Sequence, residues 1–138
     1  MADLTIDQAK VEAEEVIEKS SSIPVGEALE RGDYAIIDPA SGRLVKGSGA
    51  DAAGSRDGGL VLKGQSVVGL PAAILRKGTM WMGDALAALA FDSDVLLSDT
   101  GGLSATPADS TTGKVVGTVV PVFTKADGTA DKMLRVDL

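Results

Sequence analysis

The sequence contains no cysteine and no histidine. Without cysteine the chain cannot form disulfides or thiolate metal sites, and its redox compartment stays undetermined. Histidine is the commonest general base and the commonest metal ligand, so its absence removes both. Every Ser–His or Cys–His nucleophile arrangement is excluded as well. We therefore expect a protein that is not an enzyme and that uses no cofactor.

Aromatic residues and positive charges are also scarce. Aromatics make up 3% of the chain, and 13 basic against 20 acidic residues give a net charge of −7. Nucleic-acid binding depends on cations that neutralise phosphates and, for single strands, on aromatic stacking, so we expect no nucleic-acid partner. The longest apolar runs fall far short of the roughly 20 residues that span a bilayer. With no signal-peptide pattern at the start, we expect no membrane partner and synthesis in the cytoplasm.

The composition favours a β-rich domain. A chain of 138 residues fits one domain, which at this size buries roughly 68–70% of its unfolded surface. Seventeen glycines, distributed among short aliphatic runs, are typical of short strands joined by tight turns. The predicted fold is mainly β, a small β-barrel or sandwich of short strands and hairpins with one N-terminal helix.

Residues 5–20 predict that helix, within an N-terminal helix or arm at residues 1–22. Thr5 and Gln8 have capping-box spacing, in which each side chain satisfies a backbone amide of the first turn. An apolar stripe recurs at near-helical spacing, at Ile6, Ala9, Ala13, Val16 and Ile17. Two roles stay open: the helix lies on its own domain, or it docks on a neighbouring subunit or partner.

Two stretches share the same pattern of glycines, aspartates and apolar residues, which predicts a repeated strand–turn–strand unit. In each, a Gly-X-Ala-Leu segment precedes an aspartate-bounded apolar strand, and a glycine with a leucine one or two residues after it closes the unit. The first unit comprises Gly26–Leu29, Asp33–Asp38 and Gly42–Leu44, and the second comprises Gly83–Leu86, Asp94–Asp99 and Gly102–Leu103. We therefore expect a scaffold of β-hairpins over residues 23–138.

The rest of the chain predicts further short strands and two loops. Gly47–Gly59 is rich in Gly, Ala, Ser and Asp, so we expect a mobile surface loop there. An Asp-Gly turn is predicted at Lys125–Thr129. The strands are predicted at Leu60–Lys63, Ser66–Leu70, Ala72–Arg76, Thr79–Met82, Lys114–Phe123 and Lys132–Asp137.

One acidic stretch is a candidate metal site. Its carboxylates and hydroxyls are the hard oxygen ligands that calcium prefers, and they belong to Asp92, Ser93, Asp94, Ser98 and Asp99. The spacing lacks the alternation of an EF-hand loop. Asp94 also has a counterpart in the first unit at Asp33. This favours a turn or capping role, and we predict no metal site.

Met80-Trp81-Met82 holds the only tryptophan. In a strand Trp81 faces one side and both methionines face the other, so large apolar groups lie on both faces. One face fills the core and the other needs a cover. Because Trp and Met are enriched in interface cores, the segment is either plain core or part of a subunit or partner interface.

The repeated pattern resembles the capsid cement, or head decoration, proteins of tailed bacteriophages. The similar region covers roughly residues 23–138. Its motifs are Gly26–Asp33 with the following strand to Asp38, Gly42–Lys46, Asp94–Ser98, Gly101–Pro107, Gly113–Val119 and Met133–Asp137. The N-terminal segment is not part of this pattern.

The resemblance implies a structural protein of the virion. Such a protein is made in the host cytoplasm, binds the outer surface of an icosahedral head, often as a homotrimer, and stabilises contacts between major capsid protein subunits without catalysis. We expect eight residues to contribute to its interfaces: Ile6, Val16, Ile17, Ile23, Pro24, Met80, Trp81 and Met82. The alternatives are a head-fibre or tail-associated structural module and a small ligand- or calcium-binding β-barrel.

Overall fold

A computed structural model describes residues 3–124 and 130–138, which form a mainly β fold. The predicted fold class is confirmed in this respect, because the strands build one curled antiparallel sheet with the shape of a half-barrel. Three short 3-10 helices lie at Gln8–Lys10, Gly83–Leu86 and Pro107–Asp109. The strands are β1 (Val11–Ser20), β2 (Tyr34–Ile37), β3 (Leu44–Lys46), β4 (Gly58–Lys63), β5 (Ala73–Met82), β6 (Asp94–Leu97), β7 (Leu103–Ser104), β8 (Val115–Thr124) and β9 (Ala130–Asp137).

β5 is the strand at which the sheet is joined together. The strand order is β3-β2-β4-β5-β9-β8-β6-β7, and β1 pairs with β5 in addition. Ile74 of β5 pairs with both Ser20 of β1 and Val61 of β4, so β1 and β4 lie on opposite edges of β5. Further along, Thr79 pairs with β1 and with Arg135 of β9. β4 and β9 therefore share one edge of β5, and β1 covers the other edge alone.

The two predicted hairpins are present and occupy matching places in the sheet. β2 pairs with β3 and β4, and β6 pairs with β7 and β8. The equivalence between residues of the two units is shifted by one position from the predicted equivalence. The Val61 amide donates to the Asp33 carbonyl, and the Val119 amide donates to the Ser93 carbonyl. Asp33 therefore corresponds to Ser93, and the predicted equivalence of Asp33 with Asp94 is wrong.

The matched units also share an unusual backbone conformation. Just before the first strand of each unit, Gly32 has φ +87° and Asp92 has φ +69°. Their amides donate to the carbonyls of Val61 and Val119 respectively. Positive φ suits glycine, and aspartate tolerates it better than most residues. The turn geometry therefore requires this conformation at both places, although only one unit carries the glycine.

The predicted N-terminal helix is wrong. Only the 3-10 turn Gln8–Lys10 forms, and it is capped by Asp7, not Thr5, with the Asp7 Oδ1 accepting from the Ala9 amide at 3.2 Å. The chain then continues as β1, whose first residue, Val11, is fully buried in the core. Pairing with β5 along ten residues outweighs the helix propensity of this Glu-rich segment, since local propensity is a weak preference that tertiary contacts override.

Three other predicted boundaries differ. Ser66–Leu70 is not a strand: the chain turns there, with Gly69 at φ +94°. Ala72–Arg76 and Thr79–Met82 belong to the single strand β5. Of the predicted loop Gly47–Gly59, the last two residues belong to β4. The turn predicted at Lys125–Thr129 lies outside the described residues.

The core consists of two apolar clusters. The larger one joins β1, β5 and both hairpins through Val11, Tyr34, Met80, Leu97 and Leu134, among others. The smaller one lies under the first hairpin and includes Val25, Leu29 and Ile74. β1 is therefore an integral part of the domain, because its first residue completes the larger cluster.

Candidate interaction surface

Of the candidate metal ligands, Asp99 is held in local structure by hydrogen bonds. The Asp99 carboxylate accepts from the Thr111 amide at 2.8 Å and from the Thr111 hydroxyl at 2.6 Å. These hydrogen bonds, with the hydroxyl first, lower the pKa of Asp99. Asp94 is exposed at the start of β6. Across residues 3–124 and 130–138, no group of three or more acidic side chains is placed to hold a metal ion.

Met80 and Met82 do not belong to a surface. Both side chains are fully buried, in the larger core cluster. Trp81 points to the opposite face of β5 and is partly exposed. The alternation predicted from the sequence is therefore confirmed, and it divides the segment: the methionines are core, and only Trp81 remains a candidate for an interface.

The N-terminal candidates fall into two groups. Ile6, Ile23 and Pro24 are partly buried, and the two isoleucines pack against the core clusters. Val16 and Ile17 of β1 are 43% and 65% exposed. Ile17 is therefore the large aliphatic side chain that β1 offers most openly to solvent, and it borders a small groove of about 160 Å³ between β1, β5 and β9.

The outer edge of β1 takes no strand from any described part of the chain. The strand is ten residues long and mostly exposed. Four of its ten side chains are acidic and one, Lys19, is basic. Its register against β5 shifts at three places. Charges and bulges protect edge strands from unspecific pairing. The acidic residues of β1 are Glu12, Glu14, Glu15 and Glu18. β1 thus combines an available backbone edge with a charge pattern that selects against another acidic strand.

An open groove of about 540 Å³ lies beside this edge, on the outer face of the sheet. We call it the Trp81 groove, lined by Glu12, Ala13, Glu14, Trp81 and Met133. Glu12 is the register partner of Trp81, so its side chain lies on the same face. The Thr79 hydroxyl donates to Glu14 Oε2 at 2.7 Å and holds that carboxylate in place. The groove therefore presents one indole ring and two carboxylates.

A second exposed apolar patch was not predicted. The turn between β4 and β5 exposes Val67 (54%), Val68 (55%) and Leu70 (48%). The turn is tied to the N-terminal segment because the Gly69 amide donates to the Val25 carbonyl, 2.9 Å away. The sequence placed these residues in a strand, so their exposure could be found only from the tertiary structure.

Comparison with known proteins finds no match: no family model fits the chain, and no curated protein or solved structure is significantly similar to it. Among the residues that the structure describes, no helix has both the length and the apolar character needed to cross a bilayer.

Proposed function

We propose that the protein is a structural cement protein that binds the outer surface of an icosahedral bacteriophage head and stabilises contacts between major capsid subunits. It would act as a homotrimer and without catalysis. The resemblance of residues 23–138 to head decoration proteins is the reason for choosing this partner. The head-fibre and tail-associated alternatives use the same kind of domain at another position on the virion.

The observation that carries a binding role is the outer edge of β1. An exposed strand edge offers a row of backbone donors and acceptors that a strand of another chain can pair with, while side chains at alternate positions supply specificity. The neighbouring Ile17 supplies an apolar contact, since this residue is 65% exposed. The edge and Ile17 together give a contact surface of the kind that a cement protein needs.

Charge and avidity fit the same role. A net charge of −7 favours solubility before assembly. Each contact with one capsid subunit can be weak, because simultaneous contacts with several subunits raise the effective concentration and hence the overall affinity. A trimer would multiply these contacts threefold.

The experiment is co-sedimentation of the purified full-length protein with expanded, DNA-free heads of the phage that encodes it. We expect saturable binding. Ile17→Asp should weaken it at least about tenfold, the range expected for a central apolar contact. The matched control is Ile37→Asp, which alters another exposed isoleucine (43% exposed) on β2.

The outcomes separate the two parts of the proposal. No co-sedimentation of the wild-type protein would contradict the capsid role. Binding of the wild type with equal losses for Ile17→Asp and Ile37→Asp would leave the capsid role standing and remove β1 as the contact surface. Unchanged melting temperatures of both variants would show that binding, not folding, was altered.

A further inference from the structure

We propose that residues 3–10 form a detachable strap, and that the site covered by this strap accepts the same segment of a second copy of the chain. Two copies that exchange their straps are then joined without any new contact surface. The inference concerns contacts between copies and does not depend on a capsid partner.

The strap crosses from the second hairpin unit to the first. At its start, the Leu4 amide donates to the Leu103 carbonyl of β7 at 2.8 Å. Further along, Ile6 lies against the turn before β2, where a Cβ added to Gly32 would be 3.4 Å from Ile6 Cγ2. The strap therefore bridges the two units before the chain enters β1.

The site beside β7 is shaped for the first residue of the strap. The Thr100 hydroxyl donates to Asp3 Oδ2 at 2.7 Å, and the buried Ser98 hydroxyl lies 2.9 Å from the Thr100 hydroxyl. A Cβ at Gly102 would lie only 2.2 Å from Asp3 Oδ2. The site thus offers a hydroxyl donor to a carboxylate and keeps the space beside it free of a side chain.

The strap also carries a short apolar pattern toward the core. Leu4 and Ile6 are alternate residues, which lie on one face of an extended segment. Both are partly buried and pack against the larger core cluster. An occupant of the site must supply this pattern together with the carboxylate that Thr100 binds. Residues 3–6 of a second copy supply both.

The strap is held less deeply than the strand that follows it. None of residues 3–10 is buried, whereas the next residue, Val11, is fully buried. Local opening requires the least free energy where few apolar groups are buried. The boundary between a segment that opens and a domain that stays folded therefore lies between Lys10 and Val11.

The 3-10 turn Gln8–Lys10 is the hinge. Its hydrogen bonds are local: the Asp7 carboxylate accepts from the Ala9 amide at 3.2 Å, and the Asp7 carbonyl accepts from the Lys10 amide at 2.9 Å. Straightening the turn breaks these bonds, but the contacts of the exchanged strap are formed again in the second copy. Domain swapping is a low-cost way to join subunits for this reason.

Hydrogen exchange of the wild-type protein tests whether the strap detaches by itself. After correction for intrinsic rates, the Leu4 amide should exchange at least about hundredfold faster than the slowest amides of β5 and β9, because it needs only local opening. Equal protection of Leu4 and these strands would overturn the proposal, since the strap would then detach only when the whole domain unfolds.

A full-length variant, Leu4→Asp with Ile6→Asp, tests the exchange because its own strap no longer fits the site. NMR spectra of the labelled variant are titrated with an acetylated peptide of residues 3–10. The amide signals of Gly32, Gly102 and Leu103 should move toward their wild-type positions. The peptide should bind the variant at least about tenfold more tightly than the wild type, whose tethered strap competes at a high effective concentration.

Two controls make the test specific. A peptide of the same composition, with its leucine and isoleucine adjacent, cannot place both on one face of a strand and should bind at least about tenfold more weakly. Unlabelled full-length wild-type protein should move the same three signals of the labelled variant, because it can donate its strap. The unlabelled variant should not move them.

Several results would overturn the proposal. Loss of the dispersed amide signals in the variant would make the strap an inseparable part of the core. Equal effects of the rearranged peptide would mean that the site accepts any apolar segment, and equal binding to the wild type would place the peptide elsewhere. Movement of the signals by neither donor, or by the peptide and not by the wild-type chain, would remove the exchange between copies.

Discussion

Glu12 of β1 lies directly opposite Trp81 of β5, and one residue further back along β1 the Val11 side chain is fully buried. β1 therefore serves two purposes at once. Its inward side chain completes the core, and its outward side chains form an acidic border around the only tryptophan. Deleting residues 1–22 would remove both functions, so point substitutions on β1 are the appropriate way to test binding.

The turn before each hairpin provides a direct test of the structural match between the two units. Asp92 has φ +69°, where its counterpart is Gly32. Asp92→Gly should raise the free energy of unfolding by up to about 1 kcal/mol, because glycine adopts this conformation without a steric cost. Urea unfolding at neutral pH measures the change.

The matched control is Asp94→Gly, the same chemical change in the extended strand β6. It should lower the free energy of unfolding by about 0.5–1 kcal/mol, since glycine in a strand loses more conformational entropy on folding. Changes of the same sign in both variants would contradict the assigned turn geometry.

Gly78 of β5 is required because β1 passes very close to β5 at this residue. It has φ +148°, and a Cβ at this position would lie 2.1 Å from the Glu15 carbonyl oxygen. Gly78→Ala should therefore displace β1 and destabilise the protein by about 2–4 kcal/mol, by combining backbone strain with overpacking. Gly42→Ala has positive φ but open space around the Cβ, and it should cost only about 1–2 kcal/mol. Equal costs in thermal or urea unfolding would contradict the close approach of β1.

Truncation of Met80 should lower the stability of the fold, and truncation of Ile17 should not. Met80 is fully buried and Ile17 is 65% exposed. Met80→Ala should cost about 2–5 kcal/mol because it leaves a cavity in the core, whereas Ile17→Ala should change stability by less than about 0.5 kcal/mol. A large loss of stability for Ile17→Ala would place this side chain in the core and remove it from the proposed contact surface.

The raised pKa of Tyr34 determines how stability should depend on pH in alkaline solution. Its hydroxyl donates to the Arg56 carbonyl at 2.7 Å, and burial first, then the nearby Asp57 charge, raises its pKa to about 12. In the unfolded chain the pKa is near 10. Because the folded pKa is the higher one, this stabilisation is complete below about pH 10 and is lost as the pH rises toward 12.

This shift can be measured directly because Tyr34 is the only tyrosine. Titration of phenolate absorbance in the folded protein should give a midpoint near 12, and Asp57→Asn should lower the midpoint while leaving it above 10. A midpoint near 10 for the wild-type protein would contradict the buried position of the hydroxyl.

The sequence is sufficient to predict the hairpins, because their determinants are local. Glycines, aspartates and β-branched runs mark β2, β3, β6 and β8 within a few residues of their observed bounds. The helix prediction for the N-terminal segment is wrong for the opposite reason, because its determinants are not local. Its glutamates and alanines favour a helix locally, and only the distant strand β5 makes Val11–Ser20 extended.

The candidate surface could be predicted only in part. Alternation places Trp81 opposite Met80 and Met82, but it does not say which face is the core. The groove also depends on Glu12 being in register with Trp81, and no local pattern contains the pairing of two segments so far apart in the chain. The exposure of Val67 and Val68 depends likewise on where the turn between β4 and β5 lies in the folded sheet.

Electron cryo-microscopy of bacteriophage heads, before and after incubation with the full-length protein, tests the proposed capsid role most directly. We expect added density on the outer surface at three-fold or quasi-three-fold positions, with β1 facing a capsid subunit. Added density only at a tail or at a fibre attachment site, or no added density on any head, would contradict it.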